Sequence, residues 1–157
     1  DNEISWIDWS LTEKYRDIHR FVRGLINVLL ELDMTQVMHG LPLREFLARS
    51  LVEFHGVRLH QPDWSEDSHS LALTVRSVIG TRMVHAILNS WEHPLDFELP
   101  PVADPTLPWR RIADTALQPP DDVSSLESAP AVHGLTYRAE AHSVVLLCAD
   151  LHNVEHR

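Results

Sequence analysis

The spacing of apolar side chains changes near residue 50, and the two patterns need different architectures to bury them. Before that point Ile18, Phe21, Val22, Leu25, Leu29 and Leu32 recur every three or four residues, and Ile26 and Val28 widen the stripe. Arg16, Asp17, Arg20 and Arg23 fall on other sides of the wheel. The pattern predicts a helix over 11–32 with one buried face. Ser10-Leu11-Thr12-Glu13 has the spacing of a capping box, which would start that helix by satisfying free backbone N–H groups. Gly24 inside it costs about 1 kcal/mol relative to Ala, so it predicts a close packing contact. Gly40 and Pro42 end the helical stretch, and a second, short helix is expected over 43–50.

Beyond residue 50 the period becomes two. Leu71, Leu73 and Val75 alternate with Ser70, Ala72, Thr74 and Arg76, and Leu95, Phe97 and Leu99 alternate with Asp96 and Glu98. Further strands are expected over 53–60, 82–91, 109–113, 137–139 and 143–149, separated by turn formers at 63–68, Gly80-Thr81 and His93-Pro94. The unbroken Val144-Val145-Leu146-Leu147-Cys148-Ala149 suits a strand covered on both faces, and the proline-rich stretch 117–134 reads as a long surface loop. The expectation is a mainly β protein: an antiparallel β-sandwich over 51–157, preceded over 1–50 by one long and one short α-helix.

The 157 residues, 44% hydrophobic, suit one domain with a real core. A formal charge of −10 with Lys14 as the single lysine disfavours nucleic acid, whose phosphates demand concentrated positive charge. Neutral or cationic partners fit better. Titrating all eleven histidines would carry the charge from −10 to +1, so solubility should fall on mild acidification. No apolar run approaches the roughly 20 residues of a membrane span, so no membrane partner is expected. Cys148 has no second cysteine to pair with, and a cytoplasmic location is the expectation.

Catalytic and metal chemistry finds little to stand on. Asp63, Glu66 and Asp67 cluster in a turn bracketed by Pro62 and Ser68, where short acids serve as turn formers, and Asp121-Asp122 follows a diproline in the same manner. His152 and His156 are four apart, but two imidazoles do not complete a zinc site, and His55, His60, His85 and His93 have no partners at recognisable spacing. No metal or cofactor is expected. Five glycines, none adjacent, supply no phosphate-cradling loop, and Cys148 within an apolar strand should be inert.

Five blocks carry a family resemblance: Asp1-Asn2-Glu3-Ile4-Ser5-Trp6-Ile7-Asp8-Trp9, Gln61-Pro62-Asp63-Trp64-Ser65-Glu66-Asp67-Ser68-His69-Ser70-Leu71-Ala72, Pro94-Leu95-Asp96-Phe97-Glu98-Leu99-Pro100, Trp109-Arg110-Arg111-Ile112-Ala113-Asp114-Thr115-Ala116 with Pro119-Pro120-Asp121-Asp122, and 137–147. In this order they resemble the C-terminal third of bacterial glycogen debranching enzymes, isoamylase-type glycoside hydrolases of the α-amylase superfamily. The resemblance implies that residues 1–50 are a helical remnant of the end of a (β/α)8 barrel and that 51–157 is the α-amylase-type C-terminal domain. It also implies that the Asp nucleophile, Glu general acid and second Asp that cleave α-1,6 branch linkages lie on earlier barrel strands, so no catalytic residue is expected here and the chain should be inactive alone. Asp1, with no initiator Met and no signal pattern around it, then reads as a join to a catalytic barrel upstream. Two departures stand out: Val28-Leu29-Leu30-Glu31-Leu32-Asp33 where the family has an Arg-rich helix end, and Ser90-Trp91 where an aromatic pair is usual. The helix is therefore unusually apolar and is expected to fold back on the sandwich or pair with a second copy.

Tryptophans supply the remaining candidates, because an indole joins a flat apolar face to an N–H donor and so suits a sugar ring. Trp64, Trp91 and Trp109 are candidates for glucan contact, with core or interface packing as the competing role. Trp6 and Trp9 are implied by the resemblance to lie beside the barrel mouth and support its substrate cleft. Three readings follow: a non-catalytic portion of a debranching enzyme that completes and stabilises the barrel, a glucan-binding module for glycogen or maltooligosaccharide, or a detached interaction or scaffold domain. The partners they imply are the barrel of the same enzyme, a glucan, or another copy of the chain.

Overall fold

The computed structural model describes residues 6–32, 51–76, 82–102, 104 and 106–151. The short helix expected over 43–50 and the histidines at 152 and 156 lie outside these residues. The elements are α1 (Leu11–Lys14), α2 (Arg16–Glu31), β1 (Leu51–His55), β2 (Ser70–Arg76), β3 (Arg82–Asn89), β4 (Leu95–Glu98), β5 (Arg110–Asp114), β6 (Thr136–Ala139) and β7 (Ser143–Asp150).

All strand pairs are antiparallel. One sheet has five strands in the order β1-β2-β3-β7-β5, and a smaller sheet pairs β4 with β6. Register explains which residues meet: Ala72 lies opposite Ile87, which lies opposite Val145, and Thr74 opposite His85, which lies opposite Leu147. Period-two alternation sends these residues to one face. There Ala72, Met83, Ile87, Val145, Leu147 and Ala149 pack with Phe97 of β4, Ala139 of β6, Leu99 and Trp109 to form the main core. The β-sandwich expected from the alternation is present.

The opposite face of β7 and β5 is covered by α2. Val28, 1% exposed, packs with Ile112, Ala129 and Cys148, and Leu32, Leu126 and Leu146 flank them. This explains most of the uninterrupted apolar run at 144–149: Val145, Leu147 and Ala149 are buried on one face and Cys148, with half-buried Leu146, on the other, while Val144 at its start is exposed. Gly24 lets the helix approach closely, since a Cβ there would stand 2.9 Å from Val123 Cγ1. A forked contact from Arg20 Nη2 to both Asp122 oxygens, at 2.8 and 2.6 Å, fastens the same face. Near the C-terminal end Glu31 accepts from the Leu126 N–H, and its carbonyl accepts from Arg82.

Three local expectations are corrected. Ser10 has helical φ and ψ (−65°, −22°) and makes no side-chain cap. Its hydroxyl donates to Asp8 Oδ1 at 2.6 Å, and its N–H donates to the same oxygen at 2.9 Å. Asp8 therefore does the work assigned to a Ser10–Glu13 capping box. Tyr15, at φ −113°, divides the expected single helix into α1 and α2. Nor is 117–134 only a surface loop: Val123 bridges Ala113, Ala131 bridges Arg110, and Asp122 and Ala129 are buried.

Candidate functional site

Three features were weighed as sites. The first is an aromatic hollow at one end of β2 and β3. The turn after β1 carries Trp64, 67% exposed, whose ring meets Phe54 of β1 edge to face at 5.5 Å and 69°. The residues following β3 carry Trp91, 42% exposed, which meets His69 at 5.1 Å and 81°. Between the two turns lies an open hollow of about 390 Å³ with Leu71 and Leu88 among its apolar residues and Asp63, Ser65, Ser68, His69 and Ser90 among its polar ones. The antiparallel register places Leu71 opposite Leu88 and Ser70 opposite Asn89. Both loops therefore emerge side by side.

Local chemistry stiffens these loops. Asp63 Oδ1 accepts the Ser65 N–H at 2.9 Å, and hydrogen bonds from Ser65 hold its carboxyl below the ordinary carboxylate range. The Ser90 N–H donates to the His69 carbonyl. Asn89 fixes the second loop: Oδ1 accepts from the Trp91 N–H, and Nδ2 donates to the carbonyls of His93, Ala139 and Glu140. The turn role expected for Asp63 holds. Phe54, His69 and the serines were not singled out from the sequence, because only strand register brings them beside the two tryptophans.

The other tryptophans separate from this pair. Trp109 is 3% exposed, its Nε1–H donates to the Pro100 carbonyl at 2.9 Å, and it belongs to the core. Trp6 and Trp9, at 66% and 72% exposed, sit ahead of α1 and do not line the hollow.

The second feature is a buried polar chain. His55, His85 and Thr74 are all within 1% of fully buried. The His60 N–H donates to His55 Nδ1 at 3.0 Å, so that nitrogen carries no proton and the neutral ring has its hydrogen on Nε2. His55 Nε2–H then donates to Thr74 Oγ1 at 2.9 Å, and the Thr74 hydroxyl donates to His85 Nδ1 at 2.9 Å. Among the described residues His85 Nε2–H is left buried without a partner, 5.7 Å separating its ring centre from that of Trp109. Burial first, and the nearby His55 second, push His85 down to about 4. His55 is lowered by burial and by His60, against the opposing pull of Glu53. His55 and His85, which have no partners at recognisable sequence spacing, are thus joined across strands through Thr74, which stands opposite His85. A hydroxyl between two imidazoles has the contacts of an activated nucleophile, yet Thr74 is 0% exposed and no substrate atom reaches it. Its role is structural.

The third feature is the outward side of the helical segment. Leu11, Tyr15, Ile18, Val22, Ile26, Leu29 and Leu30 are all exposed, while Val28 and Gly24 face the sandwich. The helix does fold back, as expected, but its apolar arc is too wide for one partner. Across all three features the carboxylates with prominent contacts are committed elsewhere: Asp122 to Arg20, and Asp114 to the Tyr137 hydroxyl at 2.6 Å, which together with burial pushes Tyr137 up to about 12. Cys148 is buried in the helix-facing core, and burial pushes its thiol up to about 11, far from a reactive thiolate. No group of metal-ligating side chains occurs among the described residues.

No curated protein matches the chain in sequence. Residues 53–148, which span β1 to β7 and include the hollow, the histidine chain and both sheets, match the family described as isoamylase 1-3, C-terminal, and the chain belongs to that family.

Proposed function

We propose that this chain serves as the non-catalytic C-terminal portion of a glycogen debranching enzyme, completing and stabilising a catalytic barrel that hydrolyses α-1,6 branch linkages in the intact protein. Family membership supports the enzyme class. The observation that carries the role is the double-sided helix: α2 is anchored on the sandwich by Val28, Gly24 and the Arg20–Asp122 pair, while a second apolar stripe from Leu11 to Leu30 faces outward. A helix held firmly at its back with an apolar front is what a neighbouring domain needs to pack against without paying to order it. The barrel is that neighbour, and the cytoplasm, where glycogen is stored, is the location that goes with it.

The intact protein encoded by the gene tests this reading. It should carry a (β/α)8 barrel ahead of this chain and release linear maltooligosaccharides from glycogen. Val22→Asp with Ile26→Asp should lower its melting temperature and its activity together, since the stripe would then present charge to an apolar surface. An upstream sequence without barrel carboxylates, or an intact protein that leaves branches untouched, removes the proposal.

A further inference from the structure

We propose that the hollow beside Trp64, lined also by His69, Leu71 and Leu88, is a binding subsite for a short α-glucan segment, separate from any catalytic cleft; this rests on the debranching-domain reading for the identity of the sugar. Two indoles stay well exposed although each touches another ring, Trp64 against Phe54 and Trp91 against His69. Those edge-on contacts fix the indole planes at little further cost in side-chain entropy on binding, which is the preorganisation a weak polar ligand needs. The hollow, about 390 Å³, is lined by Trp64 and by His69, which Trp91 backs from outside the lining, and its volume lies within the range of small-ligand sites.

Its chemistry selects the ligand. Leu71 and Leu88 provide an apolar floor, while Ser65, Ser68, Ser90 and the Asp63 carboxylate provide a polar rim, and no lysine or arginine lines the hollow. An anionic ligand would find no cationic partner there, and a wholly apolar one would strip water from the serines and Asp63 without replacing their hydrogen bonds. A neutral ring with an apolar C–H face and hydroxyls around its edge satisfies both surfaces at once: the face stacks on an indole, and the hydroxyls exchange hydrogen bonds with the rim. Asp63 stiffens the loop of Trp64, and the Asn89 side chain pins the loop of Trp91, whose ring backs His69, so both walls of the hollow are held by the fold rather than by the ligand.

The test is titration of the 157-residue chain with maltoheptaose, followed by calorimetry and by tryptophan fluorescence. Binding is expected at about millimolar affinity. Trp64→Ala should weaken it tenfold or more with no change in the circular dichroism melt, Trp64→Phe should restore part of it, Trp91→Ala, which removes only the support of His69, should weaken it less, and Trp6→Ala should leave it unchanged. Absence of binding at tenfold higher sugar, binding that survives Trp64→Ala, or equal affinity for cellohexaose would overturn the proposal. The Val22→Asp and Ile26→Asp variant, which attacks the helix face, should bind maltoheptaose normally, so failure of the sugar site and failure of the barrel-docking role are read separately.

Discussion

Acid should unfold this domain through its buried histidine chain before it protonates the carboxylates. In the unfolded chain His85 takes up a proton near its ordinary value of 6.5, whereas in the fold burial and the neighbouring His55 hold it to about 4. Between those values the unfolded state binds the extra proton and is favoured by it, so this contribution to stability is complete above pH 6.5 and lost as the pH falls toward 4. The two values correspond to a loss of about 2 kcal/mol by about pH 5 and about 3 kcal/mol by about pH 4, from His85 alone. His55, lowered for the same reasons, adds to the loss in the same direction. The carboxyls of Asp8 and Asp63, lowered from 3.8, act below this window and do not blur it. Urea unfolding at pH 7.5 and pH 5, read by circular dichroism, measures the difference. His85→Asn keeps an acceptor for Thr74 but cannot take up the proton, so it should be less stable at neutral pH and show a much flatter pH slope. Equal stability of the native sequence at the two pH values, or an unchanged slope in His85→Asn, refutes the reasoning. Histidine protonation also adds less positive charge on mild acidification while the fold persists, because burial holds His85 to about 4 and lowers His55.

Arg20→Ala should cost about 2 kcal/mol, less than a fully buried pair because the Arg20 side chain is 35% exposed, by leaving Asp122 unpaired beneath the helix; chemical denaturation measures it. Gly56→Ala should cost at least about 2 kcal/mol, because the new Cβ would lie 2.3 Å from the Gln61 carbonyl oxygen and backbone must move to admit it; a matched melt against Gly134→Ala, strained by its φ of 106° but open in space, separates crowding from backbone preference. Light scattering at rising concentration should show the chain associating through the uncovered stripe, and Val22→Asp with Ile26→Asp should return it to monomer mass. Cys148 should resist a thiol reagent at about pH 8 in the folded chain and react in urea, since a thiol raised to about 11 carries little thiolate.

Much of the fold was legible because periodicity reports burial. The alternation at Leu71–Val75 and Leu95–Leu99 located β2 and β4, and the unbroken 144–149 run implied two covered faces, which holds from Val145 onward but not at exposed Val144. Gly24 was readable as a close contact because an internal helical glycine needs a reason, and Val123 is that reason. The limits came from interactions that depend on register. Thr74 meets His85 only because β2 and β3 pair in one alignment, and nothing in their eleven-residue separation indicates it. The hollow was partly visible: Trp64 was a candidate, but its floor and rim required the pairing of Leu71 with Leu88, and Trp91, the other candidate, stands behind His69 outside the lining. Asp8 displaced the capping box because a carboxylate two residues from Ser10 accepts from both its N–H and its hydroxyl, a competition that spacing rules do not weigh.

The segment packed along β5 gives the large sheet a polarity of hazard. On that side the Ser124 N–H reaches the Ile112 carbonyl, the Arg111 N–H reaches Pro130, the Asp114 N–H reaches Asp122 and the Val132 N–H reaches Trp109, so the last strand's outward hydrogen-bonding groups are already engaged. At the other end of the strand order β1 has β2 as its neighbour among the described residues, and Leu51, Val52 and Phe54 are exposed along it. A stray extended chain therefore finds the β5 border sealed, and among the described residues β1 is the border from which strand addition between molecules would propagate.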